Sequence, residues 1–148
     1  DIMARKMQRI YAAQGGVVCY ITGVGEKMPS WGYMLTICGN DGLRYSYLHI
    51  NNDDPGTDNG KGGLEYAYSR KVRRGATVRR GQFIAFAGDS GNAEWTGSHL
   101  HFEIEDPALD DPRIQKTGYD PYRMNPYYSL RRAERRGDYP GVYFPKSS

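Results

Sequence analysis

The stretch Ser98-His99-Leu100-His101-Phe102-Glu103-Ile104-Glu105 decides the fold. Polar and apolar residues alternate along it without a break, and side chains on an extended chain point to opposite faces with period two. Leu100, Phe102 and Ile104 therefore share one face, which must turn toward a core. His99, His101, Glu103 and Glu105 share the other.

Working outward, the clearest partner is a hairpin. Tyr33-Met34-Leu35-Thr36-Ile37-Cys38 and Leu43 to Ile50 flank Gly39-Asn40-Asp41-Gly42, where Asp-Gly supplies the positive φ of a tight turn. Alternation on the second arm places Tyr45, Tyr47 and His49 on one face. Gly15-Gly16 followed by Val17 to Thr22 reads as a further strand, and Gly23 to Ser30, with Pro29, as a loop. From Val72 to Gly91 short apolar segments are punctuated by Gly75, Gly81 and Gly88, the pattern of short strands turning sharply at a barrel or sandwich corner. Phe83 to Ala87 is one such strand, and Asp89 to Gly97 is a polar loop.

The segment 51–63 is a loop by composition, and its Asp53, Asp54 and Asp58 invite a calcium reading. Spacing rejects it: an EF-hand loop ending at Glu65 starts at Asp54 and requires Gly where Asn59 stands. A flexible insertion is expected there. Past Asp106, prolines at 107, 112, 121 and 126 forbid long regular structure and leave a helical turn or two around Leu130 to Arg136. The expected organisation is one all-β domain of short strands in a barrel or sandwich, followed by a Pro-rich stretch that wraps the surface.

Composition agrees. The chain has 148 residues, 39% apolar and 13% aromatic, with a net charge of +3, which fits one folded domain and not a disordered chain. Thirteen Tyr and nineteen Gly favour strands and turns over helices. The longest stretch without a charged side chain, Ile10 to Gly25, is too short and too polar to span a membrane, which takes roughly 18 apolar residues. No charged-then-apolar leader opens the chain, so a processed or truncated form is expected. Cys19 and Cys38 form either one disulfide or two separately buried thiols. Their strands are expected to be neighbours, which puts the Cα separation a bridge requires, about 4.4–6.8 Å, within reach. Arg pairs at 73–74, 79–80, 131–132 and 135–136 provide a basic surface suited to an anionic polymer or to plain solvation.

Three histidines fall on strands. His99 and His101 stand side by side on a polar face, where imidazole nitrogens can reach a common zinc ion at about 2.0–2.1 Å. With His49 and a nearby carboxylate they make up the inventory of a hydrolytic metal site. A nucleic-acid-binding barrel that used the Arg pairs and tyrosines would leave these histidines unexplained.

These motifs carry a resemblance. Gly32-Tyr33 through Tyr45-Ser46-Tyr47-Leu48-His49, the Val/Gly series of 72–91, and Ser98-His99-Leu100-His101-Phe102-Glu103 resemble the lysostaphin/LytM-type peptidoglycan zinc endopeptidases, metallopeptidase family twenty-three. Asp1-Ile2-Met3-Ala4 looks like the second half of that family's His-x-x-x-Asp motif. The resemblance implies an antiparallel, barrel-sandwich-like duplicated hybrid motif with a central cleft over 1–130, leaving a basic, Tyr- and Pro-containing tail over 131–148. It implies Zn2+ held by Asp1 and His101, with a third ligand, a His, four positions ahead of Asp1. It implies catalytic roles for His49 and His99, which orient the attacking water and stabilise the oxyanion, and a further hydrogen bond from Tyr47. It also implies hydrolysis of stem-peptide or cross-bridge amides in peptidoglycan, outside the cell or in its envelope, with no nucleic-acid partner. The alternative on the same fold is an inactive module that binds cell wall or activates a partner hydrolase. A related lipoyl- or biotinyl-carrier reading fails, because Glu26-Lys27-Met28 is followed by Pro-Ser-Trp instead of a second strand.

Overall fold

The computed structural model describes residues 1–23, 27–107, 123–124 and 131. The expected helical turn around Leu130 to Arg136, most of the tail 131–148 and most of the loop 106–128 lie outside them.

The described strands are β1 (Ile2–Met3), β2 (Arg9–Tyr11), β3 (Gly16–Ile21), β4 (Tyr33–Gly39), β5 (Arg44–Ile50), β6 (Thr77–Val78), β7 (Phe83–Phe86), β8 (His99–Glu105) and β9 (Arg123–Met124). The main sheet runs β1-β8-β5-β4-β3-β6 with β9 beside β8, and β2 pairs with β7 in a second, two-stranded sheet. Every pairing is antiparallel. The all-β expectation holds, and single turns of 3-10 helix lie at Leu64–Tyr66 and Gly91–Ala93.

The β4–β5 hairpin forms as its turn chemistry dictates. Gly42 takes φ 83°, the Gly39 N–H donates to Leu43 O at 2.8 Å, and the Asp41 carboxylate accepts from the Leu43 N–H at 3.1 Å. The Val/Gly series becomes repeated tight turns, with Ala76 N–H donating to Arg73 O at 2.9 Å and Gln82 N–H to Arg79 O at 3.0 Å.

Pairing sets the faces. Tyr45 opposes Ile104 and Tyr47 opposes Phe102, whereas Ser46 opposes Glu103 and Leu48 opposes His101. The first pair of registers belongs to the core. Tyr47 is 1% exposed, its ring centroid lies 5.2 Å from that of Phe102, and its hydroxyl oxygen accepts from the Ala13 N–H at 2.8 Å. Val18, Leu35, Ile37 and Ile50 from the main sheet meet Ile10, Ile84 and Ala85 of the smaller sheet in the same core. Each large side chain buried there stabilises the fold by about 1.5–3 kcal/mol.

Cys19 and Cys38 are joined as a disulfide on adjacent strands, Cα to Cα 5.8 Å. Cys19 sits where the β3–β4 register shifts, between Val18 and Tyr20, so the cross-link spans an irregular point of the ladder. The start of the 51–63 loop differs from the flexible insertion expected. Asn51 and Asp53 are fully buried, Gly60 N–H donates to Asp53 Oδ1 at 2.6 Å, and Gly62 N–H donates to Asn52 O at 2.8 Å. Polar composition marks a loop but is silent on whether its polar groups find partners inside the protein.

Candidate active site

β8 supplies His99 and His101 from its polar face, as alternation requires. β1 pairs with the start of β8, Ile2 with Leu100 and Met3 with His99. That register delivers Asp1 to the neighbourhood of His101, with Asp1 Oδ1 2.7 Å from His101 Nδ1. The opposite ring nitrogen, His101 Nε2, lies 2.7 Å from Glu103 Oε1. Both partners are carboxylates, which can only accept; a metal ion between Asp1 and Nδ1 would stand in place of a proton there, with Nε2–H donating to Glu103.

His49 corrects the alternation argument. Strict period two would leave it on the Tyr45 and Tyr47 face, inside the core. Its φ is 58°, a left-handed conformation uncommon outside glycine but several-fold enriched in His, Asn and Asp. Its ring lies instead 5.0 Å from His99 and 5.8 Å from His101. The backbone twist at the end of β5 thus joins the third imidazole to the other two, and Tyr47, one turn of the alternation earlier, stays in the core.

One short segment holds both strands. Gly88 N–H donates to His49 O at 3.0 Å, and His99 N–H donates to Gly88 O at 3.1 Å. Two residues on, Ser90 O accepts from His49 Nδ1 at 2.9 Å. Ser90 Oγ donates to Ile50 O at 2.5 Å and accepts from the Tyr33 N–H at 3.0 Å. Gly88 is required for this approach, since a Cβ there would meet Asn51 Cα at 2.5 Å. Neither Gly88 nor Ser90 carries a local sequence signal of this role.

The hydrogen bonds define what each imidazole can do. A carbonyl accepts, so His49 Nδ1 bears its proton toward Ser90, and His99 Nδ1 bears its proton toward Gly97 O at 2.9 Å. Both Nε2 atoms then keep a lone pair. Burial holds the His49 imidazole below its ordinary value near 6.5; the Ser90 carbonyl opposes this, and the imidazoles of His99 and His101 reinforce it. His49 is therefore neutral at pH 7, with Nε2 a proton acceptor.

The donor chemistry fits zinc. An imidazole nitrogen and a carboxylate oxygen face each other at Asp1 and His101, and Glu103 anchors the far side of the ring, as outer carboxylates do for metal-bound histidines. A separate cavity of about 510 Å³, lined by Ile21, Leu64, Tyr68 and Arg73 among others, contains none of these groups.

Comparison with known proteins gives the same direction. Residues 1–113 match the profile of Peptidase family M23. The chain is 33% identical over 99 residues to the peptidoglycan DD-endopeptidase ShyB of Vibrio cholerae, an alignment covering 64% of this chain and 19% of that protein. The chain thus spans about a fifth of that curated relative. Among solved structures, the catalytic domain of the antimicrobial peptidase lysostaphin from Staphylococcus simulans superposes with a TM-score of 0.60 at 19% identity, covering 87% of this chain and 74% of that one. A glycyl-glycine endopeptidase-like lytM protein from Ruminococcus gnavus also gives 0.60, at 23% identity, over 90% of this chain and 45% of that one. At these identities the two structures establish the fold.

Proposed function

The chain belongs to peptidase family M23, and from that premise we propose that it is a zinc-dependent endopeptidase hydrolysing amide bonds in the peptide stems or cross-bridges of bacterial peptidoglycan. The observation that carries this reading is the convergence of His49 from β5, His99 and His101 from β8, and Asp1 just ahead of β1.

In this reading Asp1 Oδ1 and His101 Nδ1 hold the metal and Glu103 orients His101. Zinc, when bound, polarises the scissile carbonyl and lowers the pKa of water toward about 7. His49 Nε2, neutral and with its lone pair directed away from Ser90, accepts the proton of the attacking water. His99 Nε2 helps to orient that water. Once protonated, an imidazole becomes a donor, able to stabilise the developing oxyanion and then return the proton to the leaving amine. A preorganised donor of this kind is worth about 3–4 kcal/mol. The carbonyl partners of both Nδ1 atoms thus favour acceptance first and donation second.

The disulfide supports a location outside the cell or in its envelope, where thiols stay oxidised. Among the described residues no helix is long and apolar enough to cross a membrane.

The test is release of soluble fragments from purified peptidoglycan by the protein, with zinc, with chelator, and as the His101→Ala variant. Hydrolysis with zinc, lost in the other two, is the expected result. Equal release in all three would remove the zinc mechanism, and no release with zinc bound would favour a wall-binding module.

A further inference from the structure

Outside the histidine cluster, carboxylates from two chain segments close around a lysine from a third. Lys6 Nζ lies 2.6 Å from Asp53 Oδ2 and 3.2 Å from Asp89 Oδ1, and it also donates to Asp58. Asp53 is fully buried, Asp89 is 2% exposed and the Lys6 side chain 25%. With Glu94 these carboxylates offer oxygens all within 4.8 Å of one another, the outline of a cation site. The ammonium already fills that place.

Its hold is strong in both directions. Burial alone would lower the Lys6 pKa, but hydrogen bonds to Asp53 and Asp58 and the neighbouring Asp89 carboxylate overturn this and raise it. Burial pushes the Asp89 carboxyl up, and the Lys6 ammonium draws it back. Without that ammonium two buried carboxylates would face each other uncompensated.

The segments joined here are the ones that hold the histidines. Lys6 lies in the turn after β1, where Met7 N–H donates to Ala87 O at 2.7 Å, and β1 carries Asp1. Asp53 lies just beyond β5 and His49. Asp89 sits between Gly88, which bridges the His49 and His99 backbones, and Ser90, whose carbonyl accepts the hydrogen bond from His49 Nδ1.

We propose that Lys6 is a positioning residue for the histidine site: its ammonium draws β1, the start of the 51–63 loop and the Gly88–Ser90 segment together, and so places Asp1 and the carbonyl that fixes the His49 tautomer. The catalytic consequence rests on the endopeptidase reading; the geometric one does not. When the lysine charge is removed, Asp89 must move toward water or take up a proton, and Ser90 O leaves His49 Nδ1. His49 then exchanges between tautomers, and Nε2 is a proton acceptor only part of the time.

The test compares Lys6→Met, Lys6→Arg and the charge-balanced double variant Lys6→Met/Asp89→Asn. Nitrogen-15 NMR of zinc-free protein reads the His49 tautomer, thermal unfolding reads the fold, and turnover of a soluble peptidoglycan peptide with zinc separates kcat from KM. Lys6→Met is expected to lose the Nδ1–H signature and to lower kcat by about 10–100-fold, the usual cost of a displaced supporting group. Lys6→Arg is expected to regain most of both. The double variant is expected to recover thermal stability without recovering tautomer or kcat, and it carries the test if Lys6→Met does not fold. Retention of the tautomer in Lys6→Met, or recovery of kcat along with stability in the double variant, would overturn the proposal. Absence of turnover in the wild type, together with the tautomer change in Lys6→Met, would sink the endopeptidase reading and leave the positioning role standing.

Discussion

Ser90 and Gly88 show how much of the site depends on residues with no reactive chemistry. Ser90→Ala removes the hydroxyl that bridges Tyr33 N–H and Ile50 O, leaving two buried backbone groups without it. The expected loss is about 1–3 kcal/mol, read as a lowered midpoint in thermal or denaturant unfolding. An unchanged midpoint would mean that water replaces the hydroxyl. Gly88→Ala acts by crowding, since its Cβ would lie 2.8 Å from Asn51 N and backbone must shift to admit it. A cost of about 1–3 kcal/mol is expected, with weakened hydrolysis because the same segment holds His49 and His99. His49 carries its own strain at φ 58°, a cost of order 1–3 kcal/mol that the surrounding bonds must sustain.

At the scale of the elements, the disulfide ties β3 to β4 beside the register shift. Closing the 19-residue separation constrains the unfolded chain, so Cys19→Ala/Cys38→Ala is expected to lose about 3 kcal/mol of stability. Denaturant midpoints of the oxidised protein and the double variant check this, and equal midpoints would contradict it. The strands themselves were legible because period two leaves a strong mark in Leu100, Phe102 and Ile104, and because Asp41-Gly42 can hardly be anything but a turn. The polar face of β8 announced His99, His101 and Glu103 together, though not that Glu103 would anchor His101. The side on which His49 emerges was not legible, since one positive φ reverses a side chain and leaves no trace in periodicity. Nor were the Lys6 cluster and the Ser90 bridge, which join residues 40 to 83 positions apart through contacts that only tertiary packing creates. The disulfide stood between two readings because neighbouring strands bring two cysteines within reach without saying whether they are oxidised.

Across the whole molecule, two groups with raised pKa values set an alkaline limit. Tyr68 is raised by burial, its hydroxyl donating to Thr22 O at 2.6 Å, and Lys6 is raised by its carboxylates despite burial. Their ordinary values are 10.0 and 10.5, so above pH 10 the unfolded chain gives up protons that the folded chain retains. Stability is therefore expected to be constant below that point in these terms and to fall as pH rises beyond it. Denaturant unfolding between pH 9 and 11 checks the sign, and Tyr68→Phe is expected to flatten the slope. The same molecule-wide fold brings Asp1 beside His101 from a hundred residues away, and equilibrium zinc titration of the protein tests most directly the proposal that the pair holds a metal ion. One zinc per chain is expected, with affinity reduced at least about 10-fold in both Asp1→Asn and His101→Ala and largely kept in His49→Ala, where hydrolysis alone is lost. Zinc affinity indifferent to both Asp1→Asn and His101→Ala would contradict it.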